Sequence, residues 1–215
     1  MTVDQPTHTW HHDLNINGQP YPTRHPAPNY GDTSDAYLGD LPTHTRQYLR
    51  ALHEAAHAIA AISANGHIHY ARITPTAQLA ASTGAVSGGD VSGCNLIDGR
   101  AVATFYGAGE RAENHYLHQA GLWTPTRSAG IELGALRDRE RCRTLNPHIG
   151  FGTGHNDYAA VHDLADQLVT RHWHAILTVA DTLTNRLHLT GDEIAHLARI
   201  PNGPHATGCT GTPTA

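Results

Sequence analysis

The residues best suited to chemistry lie in the stretch ALHEAAHAIAA, residues 51–61, where His53, Glu54 and His57 follow the order H-E-x-x-H. On a helix, residues four apart lie on one face, so both imidazoles can reach one metal ion. Zn²⁺ accepts such a pair, and the glutamate beside the first histidine can take a proton from a water that the metal activates. The pattern predicts a hydrolytic zinc site with His53 and His57 as ligands and Glu54 as general base.

This prediction depends on a helix, because the chain has 19 His and the motif can also arise by chance. Apolar residues recur at helical spacing here, and alanine, the strongest helix former, is frequent. Thr43 or Thr45 can cap the start, and Asn65-Gly66 supplies a stop. We expect a helix over residues 44–64. The alternative is a surface helix that carries two solvated histidines.

A catalytic zinc site also needs a third protein ligand and a position left for water. His, Asp or Glu can serve, and spacing from His57 does not select one, because a fold can close any loop. The candidates are Glu110, Glu113, His115, His148, His155, Asp157, His162 and Asp163.

The rest of the sequence predicts a mainly helical domain with a little β-structure. Residues 67–75 fit a short strand, and the glycine-rich residues 76–93 fit a loop or loose hairpin. Further helices are expected at 95–119 and at 133–145, the second with a charged and solvated surface. Another is expected to run from a cap at Asn156 or Asp157 to residue 173, followed by one at 174–188. The last should begin at a T-G-D-E capping box at 190–193 and end just before Pro201.

We place this domain at residues 43–200, between two segments of different composition. Residues 1–42 hold six of the 12 Pro together with many Thr, Asn and Asp, which predicts an extended or partly disordered arm. Residues 201–215 are rich in Gly, Thr and Pro and are expected to form a flexible tail.

Composition argues against several classes of function. A net charge of −5 and a pI near 6.4 give no support for nucleic-acid binding, and a chain without Lys has no Walker A lysine. The odd number of cysteines, Cys94, Cys142 and Cys209, with no C-x-x-C, favours a reduced setting over a disulfide framework. Without a signal-peptide core or a membrane-length apolar run, a soluble cytoplasmic protein is expected.

Four landmarks resemble, in the same order, the peptidase domain of the FtsH family, the membrane AAA zinc proteases. HEAAHA at 53–58 is similar to the family's HEAGHA, and GAGERAE at 107–113 to its G-G-R-A-A-E segment. TGHNDYAAVHDLADQLV at 153–169 is similar to the family's T-G-A-x-N-D segment, and LTGDEI at 189–194 to its closing L-x-G-x-E-I. Together the landmarks cover residues 45–200.

The resemblance implies a helical zinc-peptidase domain with a short strand or hairpin after the motif helix. In the family the Asp of the N-D pair is the third zinc ligand, which carries over to Asp157. The alternatives are His155 as ligand and Asp157 as a helix N-cap only. Glu113 is expected either to orient a ligand histidine or to be a buried carboxylate with another partner.

The chain departs from the family at Ala56, where the family has Gly, and at residues 121–150, which do not align. The ATPase module and membrane spans of the family are also absent from this sequence. We expect a stand-alone metalloendopeptidase for peptides or flexible protein segments, with no nucleic-acid or membrane partner. An ATPase partner or a homo-oligomer stays open.

Two further expectations concern how such a protein would work. Residues 67–74 are expected to present an edge strand that holds an extended peptide by β-augmentation. The alternative function is a catalytically silent, zinc-stabilised binding or regulatory domain. The intact Glu54 argues against that alternative, because a purely structural site has no use for a general base.

Overall fold

The structure is a computed structural model that describes residues 9–75, 78–79, 88–96, 98–152 and 157–209. The predicted mainly helical fold with a little β-structure is confirmed. The helices are α1 (Ser34–Leu38), α2 (Thr43–Ser63), α3 (Gly99–Gln119), α4 (Pro125–Gly134), α5 (Leu136–Leu145), α6 (Ala159–Arg186) and α7 (Gly191–Ala198). The strands are β1 (His11–Ile16), β2 (Gln19–Thr23), β3 (His67–Ile73), β4 (Gly89–Cys94) and β5 (His188–Thr190).

Helix α2 carries the H-E-x-x-H motif and is the centre of the core. It packs between α3 and α6, and its many alanines are fully buried, which lets the neighbouring helices approach closely. Pro42 precedes the helix and no side chain caps its start, so the expected cap by Thr43 or Thr45 is not observed. The predicted stop is confirmed, since Asn65 takes a positive φ of 61° and Gly66 N donates to Ala61 O.

The strand after the motif helix is the middle of a three-stranded antiparallel sheet with the order β4-β3-β5. Because β3 pairs on both sides, the expectation that residues 67–74 present an edge strand is wrong. Among the described strands, β4 is the edge strand that lies nearest to α2. It falls in the segment that was expected to be a loop or loose hairpin.

The described part of the N-terminal segment is folded, which corrects the expectation of an extended or disordered arm. Strands β1 and β2 form an antiparallel hairpin, and its turn, Asn17-Gly18, has positive φ at both residues. An Asn-Gly pair is a strong hairpin signal that the high proline content obscured. Leu14 and Tyr21 are buried in a small cluster with residues of α1 and α4, and this burial holds the hairpin in place.

The segment 121–150, which does not align with the FtsH family, contains α4 and α5. Thr124 caps α4 by accepting a hydrogen bond from Arg127 N. Helix α5 confirms the helix expected near 133–145, but not its solvated character, because Arg139 and Cys142 are buried.

The C-terminal part matches the predicted order of elements with two differences. A single helix, α6, replaces two predicted ones, and His172 with non-helical φ and ψ marks the expected junction. The capping box of Thr190 and Glu193 opens α7 as predicted. The described part of the tail packs on β3 rather than lying free, since Asn202 pairs with both backbone polar groups of Ile68. Across the described ranges, every helix is too short or too polar to cross a lipid bilayer.

Candidate metal centre

The two motif histidines and an aspartate from α5 converge on one point. His53 Nε2 lies 3.2 Å from Asp138 Oδ2, and His57 Nε2 lies 3.5 Å from the same oxygen. One ligand atom from each of the three side chains lies within 4.8 Å of the others. All three side chains are at least four-fifths buried, so the cluster has the compactness that a metal centre requires.

The far side of each imidazole ring is held by a hydrogen-bond acceptor. His57 Nδ1 lies 2.6 Å from the carbonyl oxygen of Phe105, which can only accept, so Nδ1 donates to it and Nε2 faces Asp138. His53 Nδ1 contacts Glu113 Oε2 at 2.8 Å. Metal-binding histidines are held in this way by outer partners that fix the tautomer and the ring orientation. Of the two alternatives predicted for Glu113, the structure shows the contact with His53 that the orienting role needs, while metal ligation by His53 stays a prediction.

Charges in the cluster favour a cation at this point. Burial opposes the charged form of His53, but Glu113 and Asp138 outweigh it and raise its pKa well above the ordinary value. Burial likewise opposes ionisation of Asp138, yet the two histidines hold its pKa below the usual range. Two imidazoles and one carboxylate, with water able to take a fourth position, form a donor set that suits Zn²⁺.

Glu54 lies beside the histidines on α2 and is 8% exposed. Burial raises its pKa to about 7, although His53 and His57 act to lower it. Gly89 at the start of β4 faces this side chain so closely that a Cβ at position 89 would overlap Glu54. Glycine at this position therefore lets the edge strand approach the proposed general base.

Helix α3 supplies both space and support for His53. A Cβ on Gly109 would lie 2.6 Å from Cδ2 of the His53 ring, so only glycine leaves room for that ring. Glu113, one turn later on the same face, is the hydrogen-bond partner of His53. The stretch GAGERAE thus provides space for the His53 ring at Gly109 and a hydrogen-bond partner for it at Glu113.

A buried charge network fixes α5, and with it Asp138. Arg139 Nη2 contacts Glu110 Oε2 at 2.6 Å and Glu132 Oε2 at 2.9 Å, and none of the three side chains is more than 3% exposed. Arg139 Nη1 also donates to the carbonyl oxygen of Pro22 in the N-terminal hairpin. The residue next to Asp138 therefore ties α5 to α3, α4 and β2 at once.

Asp157, the third ligand implied by the family resemblance, lies in a different set of contacts. Its Oδ1 accepts hydrogen bonds from Trp10 Nε1 at 2.7 Å and from Ala159 N at 3.0 Å, and its Oδ2 accepts one from Gly152 N. These donors use both oxygens just before α6, but the N-cap residue of that helix is Tyr158, so the expectation that Asp157 is the N-cap is wrong by one residue. Within the described residues, the structure brings Asp138 to the motif histidines, and Asp157 is absent from that group.

The other candidate ligands are accounted for in part. His162 and Glu110 belong to the buried network around Arg139, and the ring of His115 packs against Trp173. His155, the first rival of Asp157, lies outside the described residues.

Asp138 was not among the candidates drawn from the sequence. A signal was present, because Ala135, Asp138, Arg139 and Cys142 follow the i, i+3, i+4, i+7 spacing of an inward helix face. Ala135, Arg139 and Cys142 are in fact buried. The charged residues among them made the stretch resemble a solvated surface.

The cluster opens into a groove of about 1080 Å³. His53, Glu54, His57 and Asp138 lie in its wall, and the whole of β4 lines it as well. The edge strand and the side chains of the candidate metal centre therefore line the same groove.

Comparison with known protein families finds no model that matches the chain, and comparison with curated proteins finds no match either.

Proposed function

We propose that the protein is a zinc-dependent metallopeptidase in which His53, His57 and Asp138 hold Zn²⁺ and Glu54 is the general base. The observation that carries the proposal is the convergence of both Nε2 atoms on Asp138 Oδ2. Three protein ligands beside a buried carboxylate are typical of catalytic rather than structural zinc sites, which have four protein ligands.

The chemistry of the site follows from this arrangement. When bound, Zn²⁺ would supply Lewis-acid activation of a water and of the scissile carbonyl. Glu54 takes a proton from the attacking water and delivers it to the leaving amine. Because burial raises the pKa of Glu54 to about 7, this carboxylate can bind and release a proton near neutral pH.

The groove supports a peptide as the substrate. Strand β4 is an edge strand along its wall, and an exposed strand edge can pair with an extended peptide through main-chain hydrogen bonds. Since Gly89 lies against Glu54, a peptide paired with β4 would pass close to the general base. Peptides and flexible protein segments fit this mode of binding, because they can become extended without being unfolded first.

The FtsH-type assignment is part of the proposal and rests on the order of the sequence landmarks. The motif helix followed by β3, and the contact between Glu113 and His53, support it. The third ligand departs from the family, because we propose Asp138 in α5 instead of the Asp of the N-D pair. A cytoplasmic location and an ATPase partner or homo-oligomer belong to the same proposal.

The proposal is tested by cleavage of a library of random-sequence decapeptides, analysed by mass spectrometry with and without zinc. The wild type should generate new peptide termini only with zinc, and Glu54→Gln should bind zinc equally well while losing cleavage. Glu140→Gln, an exposed carboxylate on α5, is the matched control and should cleave like the wild type. Equal cleavage by Glu54→Gln would refute the mechanism. Zinc binding without any cleavage by the wild type would favour the silent binding domain.

A further inference from the structure

A second group of metal-binding side chains lies at the other end of the sheet, away from the motif histidines. His69 is on the central strand β3, and Cys94 is the last residue of β4. Cys209 and His205 belong to the C-terminal segment that follows α7. Three separate parts of the chain therefore bring imidazoles and thiols to one place.

The distances within this group suit a shared ion. Ligand atoms of His69, Cys94 and Cys209 lie within 4.8 Å of one another, and so do those of His67, His69 and His205. Cys209 Sγ is 3.2 Å from His69 Nε2. The two sets share His69, but among the described residues no single set joins His205 to both sulfurs, so the structure already gathers three ligands, His69, Cys94 and Cys209, around one point.

The surroundings of the Cys94 sulfur and of His67 resemble the outer partners of metal ligands. Ala206 N donates a hydrogen bond to Cys94 Sγ, which stabilises negative charge on that sulfur. His67 Nδ1 lies 2.6 Å from the carbonyl oxygen of Gly203, and its ring packs against His205 with centroids 3.6 Å apart. His67 is thus fixed by the tail and in turn supports His205.

We propose that Cys94, Cys209 and His69 hold a second, structural zinc ion, towards which the exposed His205 beside His69 turns as the fourth ligand, so that the ion fastens the C-terminal segment to the sheet. Two thiolates and two imidazoles are a tetrahedral donor set that selects Zn²⁺, and four protein ligands are typical of structural sites. His205 and Cys209 are separated by three residues, a spacing that lets neighbouring ligands share one ion.

The site would act on the edge strand of the groove. Cys94 ends β4 and lines the same groove as His53 and Glu54. An ion at Cys94 would hold the far end of β4, while Gly89 at its beginning lies against Glu54. This inference stands on its own cluster of residues and does not need the peptidase proposal.

The test is zinc content per folded chain, measured by elemental analysis on untagged full-length protein purified with a reductant and supplied with zinc. We expect about two zinc ions for the wild type and about one for either His57→Ala or the double variant Cys94→Ser/Cys209→Ser. Cys142→Ser is the matched control, because this buried thiol lies outside the cluster, and it should keep the wild-type content.

A second measurement needs no cysteine variant and so does not depend on how that variant folds. The His57→Ala protein loaded with Co²⁺ should show thiolate-to-cobalt charge-transfer absorption, and adding His205→Ala should change it. Absence of that absorption, or a mass two hydrogens lower from a Cys94–Cys209 disulfide, would overturn the proposal. A wild type with about one zinc ion, which His57→Ala keeps and Cys94→Ser/Cys209→Ser loses, would instead count against zinc binding by His53 and His57. The failure of each proposal therefore gives a different result.

Discussion

Replacing Arg139 by Met should destabilise the protein far more than the same change at an exposed ion pair. Arg139 contacts Glu110 and Glu132 with all three side chains almost fully buried. Removing the cation leaves the two carboxylates buried without their partner. Breaking a buried pair in this way lowers the free energy of unfolding by about 3–5 kcal/mol. For a chain of this size that corresponds to a fall in Tm of roughly 6–20 °C.

The assay is urea and thermal unfolding followed by circular dichroism, with Arg186→Met as the matched control. Arg186 pairs with Glu193 at the surface, where such pairs contribute about 0–1 kcal/mol. Adding Glu110→Gln to Arg139→Met should recover part of the lost stability, because it removes one of the two unpaired buried charges. The proposed role of the network in holding α5 would be wrong if Arg139→Met lowers the free energy of unfolding no more than Arg186→Met. It would also be wrong if the double variant loses the simple sum of the two single losses.

The remaining predictions concern the site and the pH dependence of stability. Glu113→Gln should weaken zinc binding by about 10–100-fold in competition titrations, because it removes the charged partner of His53. Gly89→Ala should keep zinc but lower peptide cleavage by about 100-fold, since the added Cβ displaces Glu54 and small misplacements have effects of this size. His162, buried between Glu110 and Arg24, has its pKa lowered to about 4, chiefly by burial. Between pH 6.5 and pH 4, His162 therefore binds a proton in the unfolded chain but not in the folded chain. The free energy of unfolding should fall as the pH is lowered through this range.

Each of these predictions has its own control and contrary outcome. Glu140→Gln is the control for Glu113→Gln, and equal zinc affinity of the two variants would show that Glu113 does not support the site. Gly99→Ala, where nothing lies near the added Cβ, serves for Gly89→Ala, and unchanged cleavage in both would contradict the close approach of β4. His162→Gln should lose less stability than the wild type between pH 7 and 5, by about 2 kcal/mol. Parallel pH profiles would show that His162 is not the group responsible.

Local patterns made the motif helix and its neighbours predictable from the sequence. The helical spacing around His53 and His57, the Asn65-Gly66 stop and the capping box at Thr190 each depend on residues a few positions apart. Their physical causes, which are helix periodicity and backbone capping, act over the same short range. These parts of the fold agree with the expectations.

Spacing could have placed Asp138 on an inward helix face, but its position beside the histidines depends on long-range packing. Asp138 reaches the histidines because Arg139 is anchored to carboxylates on two other helices and to the N-terminal hairpin. A stretch of charged residues is usually solvated, so the buried side of α5 was not expected. The hairpin was missed for a related reason, since proline content outweighed the Asn17-Gly18 signal.

The most direct test of the central claim is anomalous diffraction on both sides of the zinc absorption edge, from crystals grown with zinc. We expect a zinc peak bonded to His53 Nε2, His57 Nε2 and a carboxylate oxygen of Asp138. No peak at that position, or a peak there bonded to the carboxylate of Asp157 in place of Asp138, would contradict it.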